Sequence, residues 1–267
     1  MKENQVFISP DNRSFRYGDG CFETIKLKDG HIKLFKYHWY RLIKSLAILK
    51  FQIPDYLTEP YLEDTIQKLV QKNNHQKLAR VRVTITRGDG GLYDVLNHQP
   101  NILIQSWTLN PYQDRLNENG LVMDFFEDGR KAIDIFSNLK SNNYLLYAMA
   151  AIWAKEQKLN DAIILNSDGR ICDTTIANIW LLKGKEIFTP PLTEACVMGT
   201  MRNFLLEKLK ENGFTVNETV ITKNDLLTAD EVFVTNAIYG IKWVKQIGNK
   251  TYQSNQLPLL YKKFIVT

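Results

Sequence analysis

CFETIKLKDGHIKLFKYHWYRLIKSLAIL, residues 21–49, holds two short β-prone runs joined at Lys28-Asp29-Gly30 and then a change of period. Asp-Gly between such runs is a strong hairpin signal, because both residues accept the positive φ of a tight turn. From Tyr37 onward the apolar positions Trp39, Leu42, Ile43, Leu46 and Leu49 recur at spacings of three and four, which predicts an amphipathic helix ending before Pro54. A second helix is expected over 58–73, with acids early and Lys72 late, as the helix dipole favours. LARVRVTITR, 78–87, alternates with period two and reads as a strand showing Arg80, Arg82, Thr84 and Thr86 on one face. Gly88–Gly91 breaks it, and 101–108 is a further strand before the turn signal Asn110-Pro111.

The second half reads as a mixture of both elements. Strands are expected near 120–126, 162–166, 177–182, 187–188, 214–221, 231–236 and 240–246, with the stretch from 162 to 182 suggesting a meander. Helices are expected over 142–157, from Gly199 to about Asn212, and over 256–265. The domain reading is a small α+β domain, 1–112, and a larger one, 113–267.

Composition sets the class. With 44% hydrophobic and 24% charged residues the chain is an ordinary globular protein. The net charge of +5 is spread among acids and no basic run exceeds two residues, so nucleic acid is not an expected partner, while a small anionic ligand is. No window approaches 18 uninterrupted apolar residues and MKENQVFISP lacks an apolar core, so neither a membrane span nor a signal peptide is expected. Cys21, Cys172 and Cys196 are widely spaced and odd in number, which points to no metal site and to a reduced, cytoplasmic setting.

Taken one at a time, the polar candidates have bland readings. Lys140 lies at an element boundary, where most lysines are solvated, but Tyr144 is one helical turn on and can share its face. Asp173 could be a turn residue, or a carboxylate facing a cationic ring nitrogen. Gly199-Thr200-Met201 opens a helix, whose amides favour an anion. Arg202 is read as helix surface or an inter-element ion pair. Arg41 lies beside the apolar stripe of its helix, suited to covering the core edge or clamping a phosphate. Arg82 points away from Val81 and Val83, toward solvent or a substrate carboxylate. His31, His38, His75 and His98 show no partner spacing and are read as inert.

Taken together, RYGDGCFETIKLKDG (16–30), HWYRL (38–42), TRGDGG (86–91), NLKSNNYLL (138–146), CDTTIANIW (172–180), IFTPPLTEACVMGTMR (187–202) and ADEVFVTNA (229–237) resemble, in order, the class IV, fold-type IV aminotransferase superfamily. That superfamily includes branched-chain and D-amino-acid aminotransferases and 4-amino-4-deoxychorismate lyases. The resemblance implies a two-domain α/β (α+β) fold, pyridoxal 5'-phosphate as cofactor in the cleft between the domains, and a homodimer. It makes Lys140 the lysine that carries the cofactor and moves the proton. It puts Tyr144 at the ring hydroxyl, Asp173 at the ring nitrogen, and Arg41, Thr200, Met201 and Asn236 at the phosphate. Tyr17 falls on the substrate side, where Arg82 is the candidate carboxylate partner. Asp173 departs from the usual glutamate by one methylene. GDGGLYDV, 88–95, lacks the Arg-x-His pair of D-amino-acid aminotransferases, and Leu92 stands where lyase relatives can carry arginine, while Glu23 is typical of transaminases. The length and the motifs VMGTMRNF and VTNA favour the lyase branch. A transaminase of branched-chain or D-amino acids, and a catalytically degenerate cofactor-binding protein, are the alternatives.

Overall fold

The computed structural model describes residues 7–94 and 97–266; the leader reading over residues 1–6 and Val95 of GDGGLYDV lie outside the described residues. Contacts divide the chain into two compact units, one running to Thr108 and taking in Leu139–Tyr144, the other comprising Leu109–Asn138 and the chain from Leu145 on. The lysine segment therefore joins the first unit, which a single cut in the sequence does not express.

The first unit contains α1 (Arg13–Tyr17), β1 (Gly20–Lys28), β2 (His31–Ile32), α2 (Phe35–Ile48), α3 (Glu59–Lys72), β3 (Leu78–Thr86) and β4 (Asn101–Thr108). The hairpin forms as the sequence indicates: Lys28 pairs with His31 across Asp29 and Gly30, whose φ values are 49° and 77°. The strands form an antiparallel sheet in the order β2-β1-β3-β4. Cys21, Ile25 and Leu27 from β1 and Val81, Val83 and Ile85 from β3 face Leu42 and Leu46 of α2 and Leu62, Ile66 and Val70 of α3. Each fully buried leucine or isoleucine here contributes roughly 1.5–3 kcal/mol by leaving water. The other face of the sheet carries the alternate residues, among them Phe22 and Arg82.

The second unit contains β5 (Leu121–Phe125), α4 (Leu145–Glu156), β6 (Asp161–Leu165), β7 (Ile171–Thr174), β8 (Asn178–Lys183), β9 (Glu186–Thr189), α5 (Thr200–Glu211), β10 (Val216–Glu218), α6 (Lys223–Leu227), β11 (Glu231–Asn236), β12 (Gly240–Ile247), β13 (Lys250–Thr251) and α7 (Leu257–Phe264). Its sheet runs β10-β9-β8-β11-β12-β5-β6-β7, mixed parallel and antiparallel, with β13 on β12. The meander expected over 162–182 is only half present: β6 pairs β7, but β8 pairs β9 and β11 instead of β7. The expected strand over 214–221 shrinks to three residues, and α4 starts three residues later than expected. The central strands are covered on both faces, which explains their unbroken apolar runs. Ile179 and Leu181 of β8 pack with Ile163, Val232 and Val244, whereas Trp180 and Leu182 pack with Leu205 and Leu209 of α5 and with Leu257 and Leu260 of α7. No helix among the described residues is long and apolar enough to cross a membrane.

Candidate active site

Lys140 is placed by backbone pairing, not by a helix. The Phe22 amide donates to the Lys140 carbonyl (2.9 Å) and the Asn142 amide to the Gly20 carbonyl (3.0 Å), so residues 140–142 lie along the free side of β1. Gly20 permits this approach: at φ 149° a Cβ there would lie 2.0 Å from the Ile85 carbonyl oxygen and 2.6 Å from Asn142 Nδ2. Asn142 donates to Ser14 Oγ (2.9 Å) and the Ile85 carbonyl (3.0 Å), tying the segment down. The expectation that Lys140 and Tyr144 share a helical face is corrected, since α4 begins at Leu145. A loop brings them together instead, with Lys140 Nζ 5.6 Å from the Tyr144 ring centre and 4.6 Å from that of Phe22. The Arg82 guanidinium lies 3.7 Å from the same Phe22 ring. Burial, and then the charge of Arg80, push Arg82 below its ordinary value, so this face favours an added anion. Tyr17, at the end of α1, is partly exposed and stacked near Arg13 and Arg16.

The opposite face of β1 holds a buried ionic triad. Arg41 donates from Nε to Glu23 Oε1 (2.8 Å) and from a terminal nitrogen to Oε2 (2.5 Å), while His38 Nδ1 meets Oε2 at 2.6 Å. Burial alone would raise the Glu23 carboxyl, but the charge and hydrogen bonds of Arg41, with those of His38, bring it down to about 2. Burial pushes His38 below its ordinary value despite the pull of Glu23. The imidazole is therefore neutral, with its proton on Nδ1 toward Glu23 and the buried Nε2 without a hydrogen-bond partner. The inert reading of His38 is thus corrected. A signal for it existed: His38 and Arg41 are three apart on α2, and Glu23 occupies an inward position of β1 between Cys21 and Ile25, where a charge needs a partner. His75 bonds Ser106 Oγ (2.9 Å), and His98 bonds the Lys50 carbonyl (3.0 Å). The motif aspartate Asp19 takes Arg13 (2.8 Å) and Arg87 (3.0 Å), so RYGDG and TRGDGG are joined by a structural clasp.

In the second unit Asp173 lies within β7 and is 2% exposed. Its Oδ2 accepts from the Val197 amide (3.0 Å), the Tyr147 hydroxyl (3.0 Å) and Lys131 Nζ (3.3 Å); Oδ1 accepts from the Cys172 thiol (3.2 Å). Lys131 and Tyr147 also bond each other. Neither Lys131 nor Tyr147 is a candidate from the sequence, because nothing local marks a lysine after a strand or an apolar-helix tyrosine.

Gly199 is the N-cap of α5; no side chain caps the helix and its first turn holds no acid. A Cβ at Gly199 would sit 1.8 Å from Asn178 Oδ1, so a larger residue would have to displace the Asn178 amide. Thr200 and Met201 are buried at this electropositive helix start. Arg202 is a buried inter-element pair, donating to Glu218 (2.7 Å) and the Pro190 carbonyl (2.8 Å). Asn236 uses Oδ1 for the amides of Ile238 (2.9 Å) and Tyr239 (3.1 Å). The thiols are inert: burial pushes Cys21 to about 12 and Cys196 to about 11. Among the described residues no cluster suits a metal ion.

The first unit supplies a lysine amine, and the second a hydrogen-bonded carboxylate and an uncapped, acid-free helix start; these groups have the chemistry that pyridoxal phosphate requires. The profile of the amino-transferase class IV family matches residues 20–247. The chain belongs to that family. Class IV enzymes depend on pyridoxal phosphate, and this chain is one of them. It is 31% identical to an aminodeoxychorismate lyase of Bacillus subtilis, covering 99% of this chain and 92% of that one. It is 30% identical to a Methanocaldococcus jannaschii protein provisionally named a branched-chain-amino-acid aminotransferase, over 98% and 90%. A crystal structure from Legionella pneumophila, provisionally named 4-amino-4-deoxychorismate lyase, matches with a TM-score of 0.88 over 98% of this chain and 96% of that one. At 23% identity that likeness speaks for the fold-type IV architecture alone.

Proposed function

We propose that this class IV enzyme releases pyruvate from 4-amino-4-deoxychorismate and leaves 4-aminobenzoate. The observation that carries the reading is the pair of cations, Lys140 and Arg82, on one aromatic ring of the small sheet. It suits a substrate that presents an amine and a carboxylate together. The lyase relative spanning nearly the whole chain supports the choice of reaction.

Bound pyridoxal phosphate supplies an electron sink for the pair left when a proton leaves the amine-bearing carbon. Lys140 Nζ would hold the cofactor, and its amine is the group placed to take the proton from the amine-bearing carbon. The bond to the enolpyruvyl oxygen breaks, the ring becomes aromatic, and the departing enolpyruvate takes up a proton to become pyruvate. Arg82 orients a substrate carboxylate, with Tyr17 on the same side. Tyr144 serves the ring hydroxyl and Asp173 keeps a proton on the ring nitrogen. The amides of Thr200 and Met201 hold the phosphate, with Arg41 and Asn236 as further partners. Arg41 is already matched by Glu23, so the α5 start is the stronger anion site. We place the enzyme in the cytoplasm as a homodimer; three buried, free thiols accord with a reducing compartment.

A second reading, transamination of branched-chain or D-amino acids, is favoured by Glu23 and by the archaeal relative. One experiment separates the two. Purified enzyme is given aminodeoxychorismate alone, and pyruvate and the cofactor spectrum are followed. Catalytic pyruvate with an unchanged cofactor supports the lyase. Absence of pyruvate, with rapid conversion to the pyridoxamine form by leucine, valine or D-alanine, establishes the transaminase. Turnover of none of these marks a degenerate cofactor-binding protein.

A further inference from the structure

We propose, on the basis of the proposed placement of Asp173 against the ring nitrogen, that Lys131 is a positioning residue. It holds the Asp173 carboxylate from the side and, through its charge, limits how firmly that carboxylate keeps a proton on the ring nitrogen.

Lys131 reaches Asp173 from a rigid base. Its own amide donates to the Leu165 carbonyl and its carbonyl accepts from Ser167, both at 2.9 Å, so its backbone is pinned on both sides. Nζ then contacts Asp173 Oδ2 at 3.3 Å and the Tyr147 hydroxyl, with the Tyr147 ring centre 5.0 Å away. The two charged side chains are 10% and 2% exposed, so solvent and salt screen the pair little. The remaining groups around the carboxylate are neutral. Tyr147 of α4 is a phenol, the Val197 amide is backbone, and burial keeps the thiols Cys172 and Cys196 protonated. Lys131 therefore brings the cationic contact to Asp173.

The expected effect comes from charge balance. An ammonium on one carboxylate oxygen already draws on the negative charge that a ring N–H⁺ would use. The ring proton is held less firmly than by a carboxylate without that neighbour. Replacing Lys131 with an uncharged residue raises the pH at which the ring nitrogen loses its proton. One charge at about 5 Å in a partly buried setting corresponds to roughly one to two pH units. The Asp173 carboxylate, one methylene shorter than a glutamate's, stays within reach of Lys131 and the Val197 amide.

The test uses holoenzyme loaded with cofactor labelled with ¹⁵N at the ring nitrogen, whose chemical shift reports protonation independently of turnover. Wild type, Lys131→Met, Lys131→Gln, Lys131→Arg and Tyr147→Phe are titrated, and each is reduced with borohydride and peptide-mapped. Lys131→Met and Lys131→Gln should both move the titration upward by about one to two pH units, Lys131→Arg should restore the wild-type value, and Tyr147→Phe should leave it nearly unchanged. If Lys131→Met fails to fold, Lys131→Gln, which can keep a hydrogen bond to Asp173, carries the same comparison. Wild-type titration in the uncharged variants, with the adduct on Lys140, overturns the role of Lys131 and leaves the cofactor assignment standing. An equal shift in Tyr147→Phe also overturns it, because loss of a hydrogen bond would then suffice. A wild-type adduct on a lysine other than Lys140 overturns the cofactor assignment and the role of Lys131 together.

Discussion

Phe22 and Glu23 are adjacent on β1, and the faces they occupy have opposite electrostatic fates. Behind the strand, Glu23, Arg41 and His38 close on one another, and every charge there has a buried partner. In front of it, Lys140 and Arg82 share one aromatic ring, and both are cations. A closed ionic cluster fixes structure, because opening it strands a charge in the interior. An aromatic platform with two cations tolerates the loss of either more easily and, unlike the closed cluster behind β1, attracts an incoming anion. Removing a charge should therefore cost activity in front of β1 and stability behind it.

The largest expected effect is in front. Lys140→Ala should reduce turnover by at least about a thousandfold, because the covalent attachment and the proton carrier vanish together. It should unfold in urea within about 1 kcal/mol of wild type, since it lies outside the apolar core. A large fall in stability would contradict the division between the faces. Behind the strand, Glu23→Ala removes the buried carboxylate that Arg41 and His38 share, and should cost about 3–5 kcal/mol in chemical denaturation. A loss below about 1 kcal/mol would show that the triad is not the closed cluster described.

The same triad should make stability depend on acidity. Glu23 sits at about 2 against an ordinary 4.5, so the unfolded chain takes up this proton first. The triad's contribution is complete above about pH 4.5 and drains away as the pH falls toward 2, a loss of about 3 kcal/mol. His38, also held low, acts in the same direction, its unfolded form gaining a proton as the pH falls through 6.5. Denaturation midpoints from pH 7 to 2.5 should fall steeply for wild type and more gently for Glu23→Gln. The smallest effect is Arg82→Gln, expected to raise KM for a dicarboxylate amine roughly ten- to a hundredfold with little change in kcat or stability. An unchanged KM would remove Arg82 from the substrate side.

Which of these features can be read from the sequence depends on the range of the interactions involved. The hairpin at Asp29-Gly30 and the stripe of α2 are local, and both appear where periodicity puts them. Alternation alone places Arg82 opposite Val81 and Val83. His38 escapes such a reading because its partner is fifteen residues away on another element. Lys140 is legible only through the ordered motifs, since a loop residue has no period. Asp173 stands out for its type, but Lys131 and Tyr147, 42 and 26 residues distant, are brought to it only by the sheet. The meander expected at 162–182 fails because unbroken apolar strands carry no information about which neighbour they choose.

The pairing of residues 140–142 with β1 also has a consequence for biosynthesis. The first unit takes its last piece from beyond Asn138, after a stretch that belongs to the second. On the ribosome, β1 to β4 emerge and can assemble first, but the free side of β1 waits until about thirty further residues have been made. Closing so long a loop costs little more than closing a short one, because the entropy grows only with the logarithm of length. The lysine thus reaches its place late, on a sheet already built. Gly20 serves both stages: a methyl group there would press on the Ile85 carbonyl of the sheet already built and on the Asn142 side chain that arrives later.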